Sequence, residues 1–218
     1  MAKALTINSS LQELSLANND IGNEGAFTIA SALTLNSTLT ILDLSRNGIG
    51  SEVDDALSGT QFDEKAIFAL SEVLKINSTL SNLNLSGNKI GFTGANSLSE
   101  ALALNSTLNS LHLAYNSILS EGAIALANAL KINSTLNYLY LGNNFIHSNG
   151  ANSIADALQF NSTLTHLDIS RNEISSDEAI STALKANSTL TLLNLNNNFL
   201  VHDDEGVIPE ALKINSTL

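Results

Sequence analysis

Histidine is the side chain best suited to acid–base or metal chemistry near neutral pH. The chain has four: His112, His147, His166 and His202. None pairs with another at the close spacing that sets two metal ligands on one turn or helix. Only His112 and His166, with Asp168, can come together, and that trio makes too sparse a site for a metal to be expected. Serine is abundant, yet none stands in a nucleophile elbow. Gly22–Gly25 and Gly91–Gly94 spell Gly-x-x-Gly without a following Lys-Ser/Thr, which marks a turn into a helix rather than a phosphate cradle. The absence of cysteine removes thiol nucleophiles, Cys-ligated zinc, iron–sulfur clusters and disulfides together. The expectation is a non-enzymatic protein without a cofactor.

What remains is recognition chemistry. The three tyrosines of the chain are Tyr115, Tyr138 and Tyr140. Tyrosine joins a large apolar area to a polar tip and is enriched at binding hot spots. Its use depends on the elements that hold it, and these follow from a repeat. Asn-Ser-Thr-Leu (Asn-Ser-Ser-Leu in the first copy) starts at Asn8, Asn36, Asn77, Asn105, Asn133, Asn161, Asn187 and Asn215, at intervals of 28, 41, 28, 28, 28, 26 and 28. Each copy opens a unit of pattern L-x-x-L-x-L-x-x-N-x-I/L, as in Leu80, Leu83, Leu85, Asn88 and Ile90. The x-L-x-L-x core has the two-residue period of a strand with one buried face. Helical spacing follows, as in Ala123, Leu126, Ala127 and Leu130 or Ala151, Ile154, Ala155 and Leu158. The Asn that opens the next copy stands after the helix, where a left-handed cap favours Gly or Asn.

The recurring asparagines Asn19, Asn47, Asn88, Asn116, Asn144, Asn172 and Asn198 complete the pattern. With them the chain resembles the leucine-rich repeat family over essentially its whole length. Its 28-residue unit with a full helix is similar to the ribonuclease-inhibitor and NOD-like-receptor branch. The resemblance implies an α/β solenoid, a curved horseshoe arc with parallel strands on the concave face and helices on the convex one. It also implies that the asparagines form an inward ladder bonding neighbouring turns. The near-identical, cysteine-free units resemble repeat proteins that intracellular bacteria deliver into host cells. Other members of the branch activate nuclear-transport GTPases or serve as sensor segments of NOD-like receptors, which are the alternative functions.

Residues 1–218 read as a single repeat domain of about seven units starting near 8, 36, 77, 105, 133, 161 and 187. Its long second unit carries an insertion near 51–63, and its sixth unit is two residues short near Ser175–Glu178. Pro209 shortens the last helix, since proline is tolerated only in a first turn. Both ends are cut inside the period, so the chain reads as part of a longer array or as one whose ends pack against something. The eight N-x-S/T triplets read as copies of one helix-ending motif rather than as glycosylation sites.

Nine Lys plus Arg against 21 Asp plus Glu leave a net charge of −12. Such a balance disfavours nucleic acid and anionic membrane and favours a protein partner with a basic patch. No secretory signal is visible, and the uncharged run Ala101–Ser120 is interrupted by Asn105, Asn109, His112 and Asn116. The expected location is cytoplasmic, or a host cytosol reached without a cleavable N-terminal signal. On the strands the x positions face outward and read the partner. The expected binding set is His112, Tyr138, Tyr140, His166 and Asp168 on the strands, with Tyr115 and Arg171 next to the asparagine ladder and Phe145 just past the strand. Asp43 with Arg46, and Asp168 with Arg171, are placed to form local ion pairs or specificity contacts. Asp43 and Asp168 stand four units apart, too far for paired acid–base work.

Overall fold

In a computed structural model, which describes residues 1–50, 65–200 and 207–218, the chain alternates short strands with helices. The strands are β1 (Glu13–Ser15), β2 (Ile41–Asp43), β3 (Asn82–Asn84), β4 (Ser110–His112), β5 (Tyr138–Tyr140), β6 (His166–Asp168) and β7 (Leu192–Asn194). The helices are α1 (Ala2–Ile7), α2 (Gly22–Leu33), α3 (Lys65–Ile76), α4 (Gly91–Leu104), α5 (Leu119–Leu130), α6 (His147–Leu158), α7 (Glu178–Ala186) and α8 (Val207–Ile214). All seven strands pair in parallel, in chain order, in one open sheet. The register keeps equivalent positions side by side: Ser110 pairs with Tyr138 and Tyr138 with His166, while His112 pairs with Tyr140 and Tyr140 with Asp168.

Curvature follows from two spacings. Parallel strands stack about 4.8 Å apart, whereas packed helices need 8–10 Å. One strand and one helix are added per unit, so the two layers stay in step only if the stack bends with the sheet inside. Close helix packing limits that bend. A Cβ on Gly150 would sit 2.8 Å from the Cβ of Ala123, so α6 can lie where it does only without one.

The core lies between the layers. Leu83, Leu85, Leu111, Leu113, Leu139 and Leu141 are fully buried beneath Ala95, Leu98, Ala123, Leu126, Ala151 and Ile154. Toward the ends burial fades: Leu14 and Leu16 of the first unit are only partly covered. Helix α7 has nine residues against twelve in α5 and α6, as the short sixth unit leads one to expect. The insertion near 51–63 lies outside the described residues.

Two asparagine series stitch the units. Asn144 accepts at Oδ1 from the Asn116 and Ile118 N–H groups of the unit before (2.8 and 3.4 Å). Its Nδ2 donates to the carbonyls of Leu113 and Leu141 (2.8 and 3.0 Å). The second series opens each Asn-Ser-Thr-Leu. Asn133 Oδ1 accepts from the Thr135 and Leu136 N–H groups (3.0 and 2.8 Å), while Nδ2 donates back to the Leu102 and Asn105 carbonyls (2.8 and 3.1 Å). The left-handed cap expected here is not what forms: Asn105 has φ −73° and ψ 133°, and Asn187 φ −79° and ψ 130°. An Asx turn needs that extended backbone, and it satisfies two N–H groups that a left-handed cap would leave open.

Left-handed residues gather instead after the strands, on either side of the ladder asparagine. Tyr115, Ser117 and Leu119 have φ 59°, 52° and 62°, and Asn143, Phe145 and His147 have φ 57°, 56° and 50°. Gly50 has φ 104°, and a Cβ there would lie 2.0 Å from the Lys89 carbonyl oxygen. Only glycine fits that bridge between units two and three.

Candidate functional site

Alternation along β4, β5 and β6 turns Leu111, Leu139 and Leu167 into the core. It turns Ser110, His112, Tyr138, Tyr140, His166 and Asp168 onto the concave face. The parallel register then sets one ring beside another. His112 stacks on Tyr140 with centroids 4.3 Å apart and planes 16° apart, and Tyr138 meets His166 at 4.6 Å and 41°. These are the offset contacts that aromatic quadrupoles favour. The four rings form a half-buried strip across three adjacent strands.

Polar neighbours fix the rings. Ser110 Oγ lies 3.0 Å from His112 Nε2, and Thr165 Oγ1 lies 3.0 Å from His166 Nδ1. Sequence reasoning passed over both partners. Ser110 could have been found by its place two residues before His112 on the same strand face. Burial pushes the His112 imidazole below its ordinary pKa, and attraction from the Asp43 carboxylate only partly opposes this. Burial thus favours the neutral imidazole of His112.

Tyr115, Phe145 and Arg171 do not stand on strands; they occupy left-handed positions in the bends that leave the sheet, and Tyr115 and Phe145 are 52 % and 41 % exposed. Among the described residues none of the three joins the ring stacks. The ion pairs expected for Asp43–Arg46 and Asp168–Arg171 are absent among the described residues. Asp43 and Asp168 instead accept the backbone N–H of Ser45 and Ser170 at 2.9 Å, and Asp168 also accepts from Asn194 Nδ2 at 3.0 Å. A carboxylate two residues before an N–H closes a local turn more readily than it reaches a long arginine. His147 forms a contact the sequence did not indicate, an exposed pair with Glu173 at 3.4 Å. No group of three or more His, Asp or Glu able to hold a metal occurs among the described residues.

The fourteen outward strand positions carry three carboxylates, Glu13, Asp43 and Asp168, and no Lys or Arg. The face is thus acidic at its flanks and aromatic at its middle. Such a surface can bury rings and attract cations.

The family model described as Leucine Rich repeat matches residues 8–30, 35–52, 77–99, 104–127 and 160–177. The chain is a leucine-rich repeat protein. Among solved structures it is similar to one described as the actin-binding site 2 (ABS2) of leiomodin-1, with 25% sequence identity and a TM-score of 0.56, over 72% of this chain and 84% of that one. It is also similar in fold to the tropomodulin C-terminal domain of Caenorhabditis elegans, at 11% identity and a TM-score of 0.56, covering 72% of this chain and 91% of that one. No curated protein matches it in sequence. No described helix is long and apolar enough to cross a membrane.

Proposed function

We propose that this leucine-rich repeat chain is a non-enzymatic recognition module that binds a partner protein through its concave face. The observation that carries the proposal is the pair of cross-strand stacks, His112 on Tyr140 and Tyr138 on His166. Rings already held by their neighbours lose little conformational freedom on binding, which is what an anchor residue needs. Tyr115, Phe145 and Arg171, in the bends beside the strip, extend the contact at its rim, and Asp168 supplies a charge. The carboxylates flanking the strip favour a basic patch on the partner. That the leiomodin structure is described as an actin-binding site supports a protein rather than a small molecule as the ligand.

Affinity capture from eukaryotic cell lysate tests this, with wild type set beside a Tyr138→Ala/Tyr140→Ala variant and purified actin as one defined probe. A protein held by wild type and lost by the variant is the expected result. Equal retention by both would remove the concave face from the proposal.

A further inference from the structure

The residue immediately before the Asn of each Asn-Ser-Thr-Leu is large and apolar in seven of eight copies. All seven are between 63 % and 83 % exposed. Scattered exposed leucines need no explanation, but these recur at one position of every unit except the seventh, where Ala186 stands. They lie where helices end and strands begin, and so form a continuous apolar stripe along one rim of the arc. That rim is uniform: each Asn is followed by its strand five residues later, in all seven units. The residue before the stripe is Lys75, Lys131, Lys185 or Lys213 in four copies, out of only nine basic residues in the chain.

We propose that this rim is a self-association surface, occupied by a second copy of the chain related by a two-fold axis. The stripe follows an arc, and a partner that covers its whole length must share its curvature and period. A second copy does, when rotated about the axis that lies in the rim plane and bisects the arc. The lysines select the register. A centre between Leu104 and Ile132 pairs Leu104 with Ile132, Ile76 with Phe160, Leu35 with Ala186 and Ile7 with Ile214. Every lysine of the row then faces a neutral residue: Lys75 faces Gln159, Lys131 faces Ala103, Lys185 faces Thr34 and Lys213 faces Thr6. Shifting the centre by half a unit toward β5 sets Lys131 against its own copy; a half-unit the other way sets Lys131 against Lys75, a weaker repulsion because Glu72 and Glu100 already hold Lys75 at 2.6 and 3.5 Å.

Shape agrees with charge. Phe160, the largest side chain of the stripe, meets Ile76 beside an open depression of about 130 Å³ between the ends of α2 and α3, where Leu35 and Ile76 stand among the polar residues of two Asn-Ser-Thr turns. The smallest, Ala186, faces Leu35. Each large side chain offers on the order of 60–120 Å² of apolar surface. Seven of them reach the roughly 450 Å² of apolar area in one side of a standard interface of about 800 Å². In this arrangement both concave faces open the same way, and the two ring strips come together near the axis.

Sedimentation and thiol cross-linking test the proposal independently of the concave-face reading, because neither touches the rings. Wild type should be dimeric at about 100 µM, and Ile132→Asp should weaken the dimer by about tenfold or more. Thermal unfolding checks that the variant folds, as expected for a side chain 68 % exposed. The chain has no cysteine, so introduced thiols report the register alone. An equimolar mixture of Leu104→Cys and Ile132→Cys should form a disulfide-linked pair faster than either does by itself, and this holds as the test even if Ile132→Asp misfolds. A wild-type monomer at about 100 µM, or cross-linking no faster in the mixture, would overturn the proposal. A monomer that sediments with phosphatidylserine vesicles would overturn it in favour of a lipid surface.

Discussion

Tyr140 is a binding residue only if the fold can spare it. Its ring stacks on His112 at the surface of the sheet rather than beneath it, so Tyr140→Ala should cost about 1 kcal/mol, the worth of an aromatic contact. A loss of the size expected for a core leucine, in a urea denaturation series, would place the ring in the core. His112 gives a pH signature. Its folded-state pKa is lowered, chiefly by burial, so the unfolded chain takes up the proton first as pH falls. Stability should therefore be full above the ordinary histidine value near 6.5 and be lost as pH drops through it, until the folded state is protonated too. Denaturation midpoints at pH 7 and pH 5 should differ more for wild type than for His112→Gln. At this scale the sequence was legible where strand alternation held, as for Tyr138, Tyr140, His112 and His166. Beyond the last strand residue the left-handed bends break the alternation, so Tyr115, Phe145 and Arg171 fall beside the strip, where their spacing from the asparagine ladder put them.

Between the strand and the helix, each unit holds residues in a conformation that L-amino acids adopt at a cost of about 1–2 kcal/mol. Gly22, Gly48, Gly87 and Gly91 fill some of these positions, and Ser117, exposed at φ 52°, fills another. Ser117→Gly should stabilise by about 0.5–1 kcal/mol, because relief of that strain exceeds the extra entropy glycine brings to the unfolded chain; calorimetry reads the shift. The ladder asparagines act in the opposite sense. Asn144 is fully buried, and Asn144→Ala would strand the N–H groups of Asn116 and Ile118, while the Leu113 and Leu141 carbonyls keep the side-chain amides of Asn116 and Asn172. At about 1–3 kcal/mol for each of these two buried N–H groups left unpaired, the loss should be roughly 2–6 kcal/mol. The ladder could be read from recurrence alone. The geometry of the Asn-Ser-Thr-Leu turn could not, since an Asn after a helix serves a left-handed cap and an Asx turn equally well. Which one forms depends on carbonyls of the unit before, such as Leu102 and Asn105 beneath Asn133, and local sequence does not specify these.

Across the described residues the helices and strands pack against those of adjacent units, so stability is close to a sum of unit and interface contributions. A core truncation should then cost according to its place in the stack. Leu85→Ala, at a fully buried site in unit three, should lose roughly 2–5 kcal/mol. Leu16→Ala, the same position in the first unit but only partly covered, should lose about half as much or less. Denaturant midpoints of the two variants decide whether the solenoid behaves as an additive stack. The architecture was open to sequence reading because eight copies of one motif repeat the same instruction. The stripe on the helix-to-strand rim was equally present in the sequence, but exposure and not residue type is what distinguishes Ile132 from a core isoleucine. The proposed recognition rests most heavily on the concave strip. Its most direct test is the affinity of the partner captured by wild type, measured by calorimetry against the Tyr138→Ala/Tyr140→Ala variant. We predict a loss of about tenfold or more, the consequence of removing two anchor residues, with the fold retained. An unchanged affinity in a folded variant would contradict the account.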